Sequence, residues 1–124
     1  MSPYLAVVVI PVPRAKLDVY KQMSAEWGKA HVRHGAMYFS DAIGEDVQPG
    51  KLTSFPQAVQ LKDDELVAVS WVVYKSREDR DRIAAAVRED PELKAQMDPS
   101  KMPFDGQRMF WGGFQTIVGL SPGQ

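Results

Sequence analysis

His31 and His34 stand three residues apart, a spacing that puts both imidazoles on one side of a helix. Imidazole titrates near neutral pH and is a common metal ligand, so the pair could supply a general base or half of a metal site. No cysteine is present, and no third ligand is fixed by spacing, so a metal site is not expected. The competing reading is that the two rings close the polar end of an apolar helical stripe beside Trp27.

Asp105 and Arg108 form a second candidate pair, three residues apart around a turn. A guanidinium matches carboxylate geometry, so Arg108 could be presented to an anionic ligand. Asp105-Gly106 is also turn chemistry, with Arg108 pinning the turn to the next strand. That structural reading is favoured, because ion pairs position side chains for stability as readily as for chemistry.

Trp71, Tyr74, Phe110, Trp111 and Phe114 fall in strand-like runs expected to lie adjacent. They could wall an apolar pocket with few polar groups, although such side chains more often form a core or an interface. Asp41, Glu45 and Asp46 lack the alternation of a calcium loop and read as a solvated segment. Phosphate loops, nucleophile elbows and zinc spacings are absent from the sequence. The ligand-binding candidates are therefore His31, His34, Trp71, Asp105, Arg108 and Trp111, with no cofactor and no metal expected.

Composition sets the frame for these residues. A chain of 124 residues reads as one domain spanning 1–124, long enough to bury roughly two thirds of its unfolded surface without staples. Hydrophobic residues make up 44% and charged residues 25%, ordinary for a globular protein. A formal net charge of -1 lacks the basic excess that neutralises phosphates, so no nucleic-acid partner is expected. The run Tyr4–Pro13 is too short for a membrane span, and no basic residue precedes it as in a signal peptide. With cysteine absent, the expectation is a cytoplasmic protein away from membranes.

Tyr4–Ile10 is continuous and β-branched, a strand covered on both faces and ended by Pro11 and Pro13. Residues 14–34 carry a helical stripe of Leu17, Tyr20, Ser24, Trp27, His31 and His34, closed by Gly35. Residues 36–43 suit a strand with Met37, Phe39 and Asp41 towards one side. A loop follows from Gly44 to Ser54, with Pro49-Gly50 as its turn. Phe55–Leu61 and Leu66–Tyr74 read as two strands of a hairpin. Ser76 with Asp79 opens a helix with Ile83, Ala86 and Val87 inward, and Asp90-Pro91 restarts a short one over Leu93 and Met97. Residues 98–101 are a loop, residues 107–118 a last strand with a bulge or close approach at Gly112-Gly113, and 121–124 a frayed tail.

This order predicts an α+β chain: a ferredoxin-like split βαβ with one antiparallel sheet and helices on one face. The bare face would then carry Val7, Val9, Val69, Trp71, Val73, Phe110 and Phe114. So much exposed apolar surface is unusual for a monomer, and two sheets facing each other in a homodimer would cover it.

The string Met102-Pro103-Phe104-Asp105-Gly106-Gln107-Arg108-Met109, followed by Gly112-Gly113-Phe114, is the most distinctive in the chain. Together with Pro49-Gly50-Lys51 and Phe55, Ser70-Trp71 and Tyr74, and Arg77 to Arg80, it resembles the YbaA-like family of small bacterial proteins of unknown function. The resemblance covers nearly the whole chain. It implies a dimeric α/β barrel and no particular activity, and its motif does not include His31 or His34. Two functional classes follow. One is a small-molecule binder or enzyme with a closed cavity between sheet and helices, holding at least one of His31, His34, Asp105 and Arg108. The other is a non-enzymatic dimer that works through its surface loops and has no usable cavity.

Overall fold

The computed structural model describes residues 3–98 and 102–123. Residues 99–101 of the loop expected at 98–101, and the last residue of the expected tail, lie outside the described residues.

The first strand, β1, runs from Tyr4 to Pro13, past the point where Pro11 was expected to stop it. The reason lies in which edge the prolines face. The Arg14 N–H donates to the Asp64 carbonyl on the side of the next-but-one strand in sequence, whereas the Pro3 carbonyl accepts from Thr116 on the opposite side. Even positions therefore bond one neighbour and odd positions the other. Pro11 and Pro13 lack the N–H on a stretch of edge that no strand covers, so the missing donors cost the ladder nothing.

A 3₁₀ turn, Arg14–Lys16, leads into helix α1, Leu17–Arg33. Gly35, at φ +115°, ends it as expected. The Gly35 N–H donates to the Val32 carbonyl at 3.0 Å and the Ala36 N–H to the His31 carbonyl at 2.9 Å, the paired closure of a left-handed C-terminal cap. Strand β2 is Tyr38–Ile43.

Phe55–Leu61 is not a strand, and the expected hairpin is absent. Phe55–Ala58 is a single helical turn, α2, capped by the Ser54 hydroxyl, which accepts from the Gln57 N–H. Ser54 and Gln57 have capping-box spacing and Pro56 suits a first turn, and these local signals outweigh the β-prone side chains. Strand β3, Glu65–Tyr74, helix α3, Arg77–Arg88, and helix α4, Pro91–Gln96, follow. Both helices start where expected, with Ser76 accepting from the Asp79 N–H and Asp90 from the Leu93 N–H. Strand β4, Phe110–Gln115, is shorter than the expected 107–118. Its register is unbroken, so Gly112-Gly113 makes no bulge. Gly113 is a close approach instead: a Cβ there would lie 2.8 Å from the Tyr4 ring.

The sheet order is β2-β3-β1-β4, and every neighbouring pair is antiparallel. This is the expected ferredoxin-like split βαβ. β1 separates β3 from β4, so Trp71 and Tyr74 are not beside Phe110, Trp111 and Phe114 as anticipated. Alternation divides them further: Trp71, Phe110 and Phe114 share one face, while Tyr74 and Trp111 fall on the other.

Helices α1, α3 and α4 cover the face built from Tyr4, Ala6, Val8, Ile10 and Val12, Phe39 and Asp41, and Ala68, Ser70, Val72 and Tyr74. Two clusters fill this layer. Ala30, Val72, Tyr74, Ile83, Val87 and Leu93 form one, and Ile10, Val12, Tyr20 and Ala68 the other. On the opposite face, Val59 and Leu61 from the segment after α2 cover Val9, Val67 and Val69 at one end. The rest of that face stays open, with Tyr38 54%, Phe110 45% and Phe114 56% exposed.

Candidate functional site

A cleft of about 210 Å³ opens between α1 and the sheet. Val8, Ile10, Phe39, Asp41 and Ser70 form its floor, and Tyr20, Met23, Ser24 and Trp27 line the α1 side. Positions 20, 24 and 27 recur at helical spacing, so one face of α1 supplies all three. Met97, Met102, Phe104 and Met109 complete the walls. Four of the chain's six methionines thus meet here, giving a soft, adaptable lining.

The polar end is compact. Asp41 Oδ2 accepts two short hydrogen bonds, one from the Tyr20 hydroxyl at 2.6 Å and one from the Ser24 hydroxyl at 2.6 Å. Its other oxygen, Oδ1, is buried, and no donor among the described residues meets it in hydrogen-bonding geometry. A buried acceptor without a partner is costly and calls for an explanation. Burial pushes the Asp41 carboxyl above its ordinary range, while the Ser24 and Tyr20 hydroxyls and the nearby Ala42 N–H pull the other way. Burial first, and then the facing carboxylate, raise the Tyr20 phenol well beyond its usual value.

The expected site residues lie elsewhere, and none of the six lines this cleft. His31 is buried at 4% exposure, its Nδ1–H donating to the Trp27 carbonyl at 2.8 Å. Its ring sits among Trp27, Phe39 and Tyr74. Burial lowers its basicity, as does the nearby His34 to a lesser extent. His34 Nε2 meets Asp90 Oδ2 at 2.6 Å, and Arg33 reaches the same oxygen at 3.0 Å. Since Asp90 also caps α4, this cluster ties the end of α1 to the start of α4.

Arg108 is a structural clamp. Its guanidinium bonds both oxygens of Glu65, at 2.6 and 2.7 Å, and Asp105 at 3.0 Å. It also donates to the Val59 and Gln60 carbonyls at 3.3 and 3.0 Å. All three nitrogens of the fork are engaged, and two carboxylates already meet its charge, which leaves it poorly placed for an anionic ligand. Trp71 lies on the open sheet face, and Trp111 stands 66% exposed on edge strand β4. Among the described residues, no group of three or more His, Asp or Glu side chains converges to hold a metal ion. No helix among them is long and apolar enough to cross a membrane.

The sequence reading set Asp41 beside Phe39 on one side of a strand, yet it also grouped Asp41 with Glu45 and Asp46 as a solvated segment and left it out of the site candidates. Its two-residue spacing from Phe39 does put both on the inward face of β2.

Comparison with known proteins fits this architecture. A dimeric ferredoxin-like protein from an uncultured marine organism matches with a TM-score of 0.59 at 10% identity, covering 97% of this chain and 100% of that one. A mutant form of SnoaB, a cofactor-independent oxygenase from Streptomyces nogalater, matches with a TM-score of 0.57 at 15% identity, covering 97% of this chain and 98% of that one. At such identities these matches speak for the fold alone. In sequence, the uncharacterised protein YbaA of Escherichia coli K12 is 36% identical over 115 residues, covering 93% of this chain and 97% of the relative. The model of a family described as a protein of unknown function (DUF1428) matches residues 3–106. The chain belongs to that DUF1428 family, with the YbaA proteins as its relatives and a ferredoxin-like fold as its frame.

Proposed function

We propose that this chain binds a small, mainly apolar molecule in the cleft between α1 and the sheet, with Asp41 anchoring the ligand's polar group. The observation that carries this reading is the unpartnered Asp41 Oδ1 at the end of an otherwise apolar cleft. Mostly apolar walls with a few convergent polar atoms are the usual design of a small-molecule site. A cavity of roughly 150 Å³ accepts benzene, so about 210 Å³ suits a single ring with a short arm.

The reading includes a homodimer formed through the open sheet face. Tyr38, Phe110 and Phe114 are exposed there beside the half-buried Leu5, Val7, Trp71 and Val73, and a second copy is the self-complementary way to cover them. The alternative, a surface-acting dimer without a ligand, expects no usable cavity, and the cleft disfavours it.

Native mass spectrometry of gently purified protein tests both parts. The expected result is a dimer that carries or takes up an apolar adduct, and a Met109→Trp variant that does not, because the larger ring fills the cleft. Equal uptake by the variant would place the ligand elsewhere. A clean monomer would remove the case for the sheet interface.

A further inference from the structure

We infer that the cleft selects a protonated amine carried on a small apolar, preferably aromatic, body. The inference rests on the cleft reading above and comes from counting donors and acceptors. The Tyr20 and Ser24 hydroxyls each carry one hydrogen, and both are spent on Asp41 Oδ2. Ionised, Asp41 is an acceptor only, and among the described residues no donor meets its Oδ1 in hydrogen-bonding geometry. Ser70 is the other hydroxyl among the described lining residues, and it can donate as well as accept. Around Asp41 itself the hydroxyl hydrogens are already used, so the group left to satisfy is an acceptor, and a ligand that satisfies it must donate.

Charge narrows the choice further. Among the described residues the lining contains no lysine, arginine or histidine. Lys21 lines an adjoining groove that Asp41, Tyr20 and Ser24 share, and neither Asp41 oxygen takes a hydrogen bond from it. An ionised, half-buried carboxylate with no counter-ion among the described residues repels anions and leaves a neutral ligand to share an uncompensated charge. An ammonium supplies both the missing donor and the missing charge. The walls suit it as well, because Trp27, Tyr20, Phe39 and Phe104 offer aromatic faces to a cation and its apolar body.

The test uses three probes of one shape and different charge: 2-phenylethylamine, 2-phenylethanol and phenylacetate. Each is titrated into the protein near neutral pH and followed by calorimetry and by the change in indole fluorescence, to which Trp27 contributes. The amine is expected to bind about tenfold or more tighter than the alcohol, with phenylacetate weakest. Amine affinity should fall on acidification, as Asp41 takes up a proton and the Tyr20 phenol stays neutral. In Asp41→Asn the amine should lose its advantage while the alcohol changes little. An alcohol that binds wild type as well as the amine does would overturn the inference and leave the cleft reading standing. A preference for amine that survives Asp41→Asn would also overturn it, pointing to another carboxylate such as Glu26 in the adjoining groove. If neither amine nor alcohol binds at millimolar concentration, the cleft reading fails and the inference falls with it. The charge series on the unaltered chain decides whether or not the Asn variant folds.

Discussion

Gly28 sits where α1 crosses β2, and replacing it with alanine sets two effects of known size against each other. In an exposed helix the change would stabilise by about 1 kcal/mol, because glycine loses more backbone freedom than alanine. Here the added Cβ would lie 2.6 Å from Phe39 Cε1 and 2.8 Å from Phe39 Cγ, well inside the optimum carbon contact of about 3.5–4.0 Å. The ring cannot simply step aside. The His31 ring stacks near it at 6.3 Å between centroids, and it packs on the cluster around Val72 and Tyr74. Overpacking of this kind costs about 1–3 kcal/mol, so the net expectation for Gly28→Ala is a loss of about 1 kcal/mol. For a chain of this length that is roughly 4 °C in Tm, measurable by calorimetry. Phe39→Leu in the Gly28→Ala background should cost less than in wild type, with a coupling of about 1 kcal/mol. A Gly28→Ala variant more stable than its parent would show that α1 does not press on Phe39, and the argument would fail. Because Phe39 is also part of the cleft floor, the same variant should weaken ligand uptake.

Arg108→Lys should lower the urea midpoint clearly, since an ammonium cannot reproduce a two-pronged bond to Glu65 plus contacts to Asp105 and two carbonyls; an unchanged midpoint would refute the clamp. Hydrogen bonding holds three carboxyls below their ordinary range: Asp90 chiefly through the Leu93 N–H, and Glu65 and Asp105 chiefly through Arg108. A depressed carboxyl stabilises fully above its unfolded value and loses that contribution as pH falls through the folded one, so Tm should decline below about pH 4. Asp90→Asn should flatten that acid limb, and an identical slope would count against the assignment. Phe110→Glu combined with Phe114→Glu should give a monomer in sedimentation velocity, and a persistent dimer would exclude the open sheet face as its interface.

Most of the frame was legible because it is written in local signals. The stripe on α1, the glycine that ends it, and the caps at Ser76 and Asp90 are all found where the sequence implies them. At Phe55–Leu61 two local signals competed, and the cap at Ser54 with Pro56 overrode apolar composition. The candidate site was harder for a different reason. Asp41 acquires its meaning from Tyr20 and Ser24, which are 21 and 17 residues away, and no spacing rule links a strand position to a helix face at that range. The histidines attracted attention through residue type, yet the fold uses one as a buried ring and the other as a tie to Asp90. The reading of Arg108 as a pin looked to Asp105, whereas Glu65, which takes two of its hydrogen bonds, is 43 residues distant and invisible to spacing.

The two prolines at the end of β1 carry a consequence for the cleft. β4 stops pairing at the partner of Val9, and further zipping would place Met109, Arg108 and Gln107 beside Ile10, Pro11 and Val12. Pro11 offers no N–H on that edge, so the chain is denied the next rung and bends away at Met109. Phe104 and Met109 turn instead over Ile10, Val12 and Tyr20, where they become walls of the cleft. Hydrogen bonds that cannot form thus act as a stop on the zipper, and the length of one sheet edge sets how much of the chain remains to enclose a ligand.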